Sequence, residues 1–206
     1  MRISSRNSQA AATLLAALLI VAACSAGATT PAALGSAEPS ASSALSGDPV
    51  PIYVAASPTD PSWFGVSMTD VNSGQAFRIS DFRGKVVLIE TMATWCPTCQ
   101  GEMAQVQQLH SFFSDTDFVS VSLDVDPNED ATVLKKFTVK NNYLWRVAVA
   151  PTEVGAFMAK NYDVNYLNPP EQPMLIIDRT GGVWGLPFGI KSIDSLKKTL
   201  DPYIAQ

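Results

Sequence analysis

The chain has 206 residues, enough for one ordinary domain with appendages or at most two small ones, and its 47% hydrophobic content is enough for a packed core. A net charge of −5 and a pI near 4.8 leave no basic footprint for nucleic acid. The charges are scattered without a long acidic block, as on a soluble, self-repelling surface.

Arg2 and Arg6 open the chain, and Ala10 to Ala23 is a run of small and apolar residues. That run is short for a membrane-spanning helix, which needs about 20 residues, and it fits the core of a secretory signal. It ends in Ile20-Val21-Ala22-Ala23-Cys24-Ser25. A cysteine directly after small residues resembles the lipobox of bacterial lipoproteins. The resemblance implies that residues 1–23 are removed and that Cys24 is lipidated as the mature N-terminus. A plain signal peptide with an incidental Cys24 is the alternative. The two arginines are not adjacent, so a twin-arginine export signal is not indicated. With Cys24 assigned to lipid, Cys96 and Cys99 remain as the one intramolecular pair, in a compartment where disulfides persist.

Residues 24–57 read as a flexible, lipid-anchored linker rich in Ala, Ser and Pro, with Glu38 and Asp48 as its only charges. Such a composition cannot bury enough apolar surface to offset its ordering entropy, and its root-mean-square reach is roughly 30 Å. The domain proper is expected over 58–206. Trp63 to Thr69 and Ala76 to Ile79 read as short strands around the turn Asn72-Ser73-Gly74. Val86 to Ile89 is a β-branched run suited to a central strand covered on both faces. Met103, Val106, Leu109 and Phe113 then fall at helical spacing. Phe118 to Val125 predicts a buried strand, Asp130 to Lys140 a helix, Trp145 to Val149 a strand, and Glu153 to Asn161 a short helix. Met174 to Asp178 predicts a strand turned by Thr180-Gly181-Gly182 into Val183 to Phe188. A last helix follows, with Ser192 as N-cap and Ile193, Leu196 and Leu200 on its inner face. Strands alternating with helices, closed by a hairpin and a helix, predict an α/β fold with a mixed central sheet flanked by helices and an N-terminal β-hairpin extension.

Cys96-Pro97-Thr98-Cys99 falls where a buried strand ends and a helix begins. The thiolate is the nucleophile in disulfide exchange, and a helix N-terminus stabilises it through unpaired N–H groups. Pro97 suits the first helical turn. Cys96 is expected as the exposed attacking thiol and Cys99 as the resolving one, a turn deeper. Tetrahedral zinc needs four ligands, of which CxxC supplies two. His110 is the one histidine and Cys24 the one other cysteine, so zinc is not supported. A structural disulfide is the competing reading, although so small a loop constrains the unfolded chain little.

Lys85-Val86-Val87-Leu88-Ile89-Glu90, followed by Ala93-Thr94-Trp95-Cys96-Pro97-Thr98-Cys99 and preceded by Ser80-Asp81-Phe82-Arg83-Gly84, resembles a thioredoxin fold of the TlpA/ResA type. These are membrane-tethered bacterial thiol–disulfide oxidoreductases, and the similarity runs from about residue 60 to the C-terminus. The resemblance implies a redox-active Cys96–Cys99 disulfide with no other cofactor and no metal, Trp95 directly before it, and a cis-proline facing it. Pro173 matches that proline, and its neighbour Gln172 would present backbone groups to the substrate chain beside Pro97 and Thr98. Glu90, six residues before Cys96, matches the buried acid of thioredoxins, and Glu102, three after Cys99, an acid that ResA-like proteins keep near the pair. A buried carboxyl has a raised pKa and can exchange a proton with the resolving thiol. Glu102 as an ordinary exposed helix residue is the plain alternative. Met92 stands where many relatives have an aromatic residue, and Tyr166 to Gln172 is longer and richer in proline than usual.

The implied activity is exchange of disulfides with exported proteins, outside the cytoplasm and anchored to the membrane. The family's usual contexts are cytochrome c maturation and respiratory-complex assembly. A membrane-bound thiol reductant, a lipid anchor and a monomeric state are the expected associations. A second function is kept open: Leu123 to Asp130 is faintly similar to Sco-type copper assembly proteins, which bind copper with two cysteines and a distant histidine. Here His110 lies on the helix after the pair, on the wrong side of it. A peroxiredoxin-like peroxidase is a third reading, weakened by a CxxC at a helix start behind a Trp.

Overall fold

The computed structural model describes residues 51–55, with backbone only for 52–55, and residues 61–206. The signal-like segment, Cys24 and most of the expected linker lie outside the described residues. Among the described residues six strands form one mixed sheet: β1 (Ile52–Ala55), β8 (Val183–Gly185), β7 (Met174–Ile177), β4 (Val86–Met92), β5 (Phe118–Asp124) and β6 (Arg146–Val149), in that spatial order. β4, β5 and β6 run parallel, and the β4–β7, β7–β8 and β8–β1 pairings are antiparallel. The remaining strands, β2 (Met68–Thr69) and β3 (Ala76–Phe77), pair only with each other. Four helices accompany the sheet: α1 (Pro97–Leu109), α2 (Ala131–Asn141), α3 (Thr152–Asn161) and α4 (Ile193–Ile204).

The pleat of β4 decides what faces the pair. Val86, Leu88 and Met92 enter the apolar layer that holds Met103, Val106 and Leu109 of α1 and Leu196 and Leu200 of α4. Val87 and Ile89 enter the opposite layer, with Val154 and Met158 of α3 and with Trp63, Phe64 and Phe77. Alternation therefore turns Glu90 toward α1. β5 runs beside β4 in register, Val86 with Phe118 through Met92 with Asp124, so Ser120, Ser122 and Asp124 share the Glu90 face.

The expected elements are present with three differences. Ile52–Ala55 lies inside the segment expected to be linker, yet it pairs with β8 as the edge strand of the sheet. The expected strand over 63–69 is instead a 3-10 turn, Ser62–Gly65, followed by the two-residue β2. Its partner ends at Phe77, because a second 3-10 turn occupies Ile79–Phe82. The hairpin turn is held by Asp70, whose carboxylate accepts from the Asn72 and Ser73 amides and the Ser73 hydroxyl, with Gly74 at φ 73°. The helix starts follow their caps: Asp130 accepts from the Thr132 and Val133 amides, and Ser192 accepts from Ser195.

Candidate active site

β4 delivers the chain to the C-terminal edge of the sheet, and Cys96 caps the helix that follows. Its sulfur accepts the Cys99 amide at 3.1 Å, and Pro97 takes the first helical position. Cys96 and Cys99 form a disulfide, and the Thr98 hydroxyl lies 3.3 Å from the Cys96 sulfur. Trp95 is exposed at the rim, and its indole N–H donates to Asp126. The preceding turn is fixed by Glu129, which accepts from both the amide (2.8 Å) and the hydroxyl of Thr94.

The expectation of an exposed Cys96 is not met: Cys96 is 0% and Cys99 3% exposed. The proline-rich segment folds into two 3-10 turns, Val164–Leu167 and Pro169–Glu171, the second of them packed on α1. The Pro169 carbonyl lies 3.3 Å from the Cys99 sulfur. Tyr166 anchors the first turn, buried with its hydroxyl 3.4 Å from the Met174 carbonyl.

Gln172 also departs from expectation. Its backbone groups are used inside the protein: the N–H donates to Pro169 O at 2.8 Å, and the carbonyl accepts from Lys191 Nζ at 2.7 Å. Its side-chain amide donates to Thr98 O at 3.0 Å, across the disulfide turn. The residue adopts φ 53°, ψ 58°, a left-handed conformation uncommon outside glycine. Pro173 enters β7, and its carbonyl accepts the Thr91 amide at 3.2 Å.

The two acids are buried, Glu90 on the sheet face turned toward α1 and Glu102 on α1 itself. Glu90 is buried and accepts from the Ser122 hydroxyl, which in turn accepts from the Trp145 indole at 2.7 Å. Burial pushes its carboxyl up to about 8, with the Ser122 bond pulling against it. Glu102 is not the exposed helix residue of the plain alternative. It is paired with Lys191 at 3.2 Å, both side chains 3% exposed, and burial lifts it to about 7 against the pull of Lys191. Asp124, at the end of β5, is raised to about 7 by burial, with Glu129 and Asp126 contributing, although the Asp126 amide opposes the rise. Met92, in place of an aromatic residue, is fully buried against the helix layer.

Of the residues singled out in the sequence, Cys24 lies outside those described, and the others converge here except His110. It caps the far end of α1, bonded to Ser120 at 2.6 Å and stacked on Trp145, so it offers the cysteines no third metal ligand. Among the described residues no group of three or more His, Cys, Asp or Glu side chains is placed to hold a metal ion. Sequence reasoning missed Lys191, Ser122 and Glu129.

A model of the Redoxin family matches residues 45–183. The thiol-disulfide oxidoreductase ResA of Bacillus thuringiensis subsp. konkukian is 28% identical over 116 residues, which cover 56% of this chain and 61% of that protein. The match thus spans less than two thirds of that relative. Two solved structures share the architecture. The thiol:disulfide interchange protein of the thioredoxin family from Chlorobium tepidum TLS has a TM-score of 0.53 at 22% identity, covering 76% of this chain and 97% of its own. The pneumococcal exposed lipoprotein thioredoxin Etrx1 from Streptococcus pneumoniae has a TM-score of 0.54 at 20% identity, covering 66% and 98%. At these identities the likeness establishes a thioredoxin-like fold. The TlpA/ResA resemblance read from the sequence agrees with all of these matches.

Proposed function

Because the chain belongs to the Redoxin family, we propose that it is a thiol–disulfide oxidoreductase that exchanges its Cys96–Cys99 pair with disulfides and dithiols of exported proteins. The observation that carries the reading is the placement of the disulfide. It caps the N-terminus of α1, where the Cys99 amide donates to the Cys96 sulfur and the helix start favours a developing thiolate, and a protonatable carboxyl is buried on the sheet face turned toward that helix.

In one direction an incoming thiolate attacks the Cys96 sulfur, the Cys96–Cys99 bond breaks, and Cys99 leaves as a thiolate. Glu90, protonated at neutral pH, is the nearby store from which that sulfur takes a proton. A second substrate thiolate then displaces Cys96, leaving the substrate oxidised and the pair reduced. In the other direction the Cys96 thiolate attacks a substrate disulfide. Cys99 then passes its proton to Glu90 in the fraction of molecules where that acid is ionised, which grows as pH approaches about 8, and closes the ring, and the substrate leaves reduced.

The proposal extends to location and partners. Cys24 carries lipid, residues 1–23 are removed, and the domain works outside the cytoplasm as a membrane-anchored monomer. A membrane-bound thiol donor resets the pair, in cytochrome c or respiratory-complex maturation. The TlpA/ResA resemblance and the similarity to an exposed lipoprotein thioredoxin support this part. Acyl-chain incorporation lost in Cys24→Ala tests the anchor. A Cys99→Ser variant, which cannot resolve its mixed disulfide, tests the activity. It is expected to accumulate covalent complexes with exported proteins that dissolve on reduction; a variant that traps nothing contradicts the proposal.

A further inference from the structure

Lys191 belongs to none of the motifs above, yet its ammonium is the point where three segments of the site meet. An ammonium has three donors, and Lys191 spends all three on groups around the disulfide: Glu102 Oε1 of α1 at 3.2 Å, the Gln172 carbonyl at 2.7 Å, and the Gly189 carbonyl, in the loop after β8, at 2.6 Å. Burial lowers its proton affinity, and the Glu102 charge opposes that fall. A neutral amine would have only two donors for these three acceptors, so the geometry is that of the ammonium.

The Gln172 carbonyl is one of three ties on one residue. The amide of Gln172 closes the Pro169–Glu171 turn, and its side chain reaches Thr98 O on the other side of the disulfide. Those bonds hold a non-glycine residue in a left-handed conformation, which relaxes once they are lost. The Pro169 carbonyl of the same turn lies 3.3 Å from the Cys99 sulfur, and both cysteines are buried.

We propose that Lys191 is a positioning residue of the exchange site: through Gln172 and Glu102 it latches the Pro169–Gln172 turn over the Cys96–Cys99 disulfide and sets how readily an incoming nucleophile reaches it. The latch also keeps the Gln172 backbone occupied, so an incoming chain gains those groups only after the turn opens. This inference rests on the pair being the exchange centre, but access to the disulfide is a property of the chain alone and can be read without any protein substrate.

The test uses the oxidised chain and an uncharged trialkylphosphine, which attacks a sulfur directly. The S–S bond breaks as a P–S bond forms, and water then gives phosphine oxide and the dithiol. Loss of the disulfide is timed by thiol labelling in wild type, Lys191→Met, Gln172→Ala and Glu102→Gln, at several low urea concentrations. Lys191→Met and Gln172→Ala are expected to react roughly ten-fold faster than wild type, the population shift that follows loss of a charge-assisted or buried hydrogen bond. Glu102→Gln keeps an acceptor for the ammonium but removes its counter-charge, and is expected to react faster than wild type by less than Lys191→Met. The accelerated rates are expected to vary little with urea, because opening one turn exposes little surface. Wild-type rates in both latch variants overturn the proposal. So does acceleration with the steep urea dependence of global unfolding, since that is what a merely structural lysine would give. If Lys191→Met does not fold, Lys191→Gln, which removes the charge and part of the donor set, carries the same two outcomes. A chain that traps no exported protein would refute the exchange function and leave this readout intact.

Discussion

Ser122 on β5 stands directly beside Glu90 on β4, and its hydroxyl donates to the buried Glu90 carboxyl on the face turned toward the disulfide helix. The acid is satisfied sideways, within the sheet, and the opposing charges of Lys191 and Glu102 act on it less than burial does. Burial therefore dominates, and the carboxyl stays protonated at neutral pH.

The pH dependence of stability follows. The folded-state value of Glu90 is raised from 4.5 to about 8. Between those values the unfolded chain has lost this proton and the folded chain still holds it. Stability therefore falls as pH rises through the window and levels off above about 8. The contribution is on the order of a few kcal/mol across the window. Glu102 and Asp124, raised to about 7, add to the slope below that pH. In Glu90→Gln, where the amide oxygen still accepts from Ser122, urea unfolding measured at several pH values is therefore expected to lose the slope between about pH 7 and 8 and to flatten below it. A slope identical to wild type would place the titration elsewhere.

The same variant separates proton handling from packing. Glu90→Gln removes the exchangeable proton near Cys99 while keeping the shape of the site. Resolution of a mixed disulfide with a small thiol, followed by stopped flow, is expected to slow by roughly 10²-fold. Unchanged resolution would leave Glu90 with a purely structural role.

Ser122→Ala removes the bond to Glu90 and also leaves the buried Trp145 indole N–H without its acceptor. A cost of about 1–3 kcal/mol in urea unfolding is expected. Because the Ser122 bond pulls the Glu90 carboxyl down, its titration should move further up in this variant, as followed by carboxyl NMR shifts.

Glu129 is the acceptor for both the amide and the hydroxyl of Thr94, two residues before Cys96. Glu129→Ala is expected to destabilise by about 1–3 kcal/mol and to broaden the Trp95 and Cys96 amide signals in NMR spectra. Sharp, unshifted signals would show that the turn holds its shape without this clamp.

Much of this site was legible from local patterns. The β-branched run of β4, the Pro97 step and the CxxC place a thiol pair on a helix start, and counting from the cysteines reaches Glu90 and Glu102. What was not legible depends on contacts far apart in the chain. Lys191 lies 89 residues from Glu102, and Gly-Ile-Lys-Ser reads as an exposed loop until the fold buries it. Ser122 is 32 residues from Glu90 and was visible only as a small residue inside a buried strand. Burial of the pair was missed because it depends on what packs around the start of α1, the Pro169–Glu171 turn against Cys99 included, not on the CxxC itself. Ile52–Ala55 has the β-branched and aromatic character of a strand, but its run is short and follows a polar tether, and the pairing comes from β8.

The central claim is that Cys96–Cys99 is a pair that opens and closes, and its reduction potential tests that most directly. The chain equilibrated in graded mixtures of reduced and oxidised dithiol buffer is expected to follow a reversible two-electron curve, with one midpoint from either direction and a position between roughly −270 and −120 mV. A disulfide that stays closed in every such buffer would be a structural staple, and the account would be wrong.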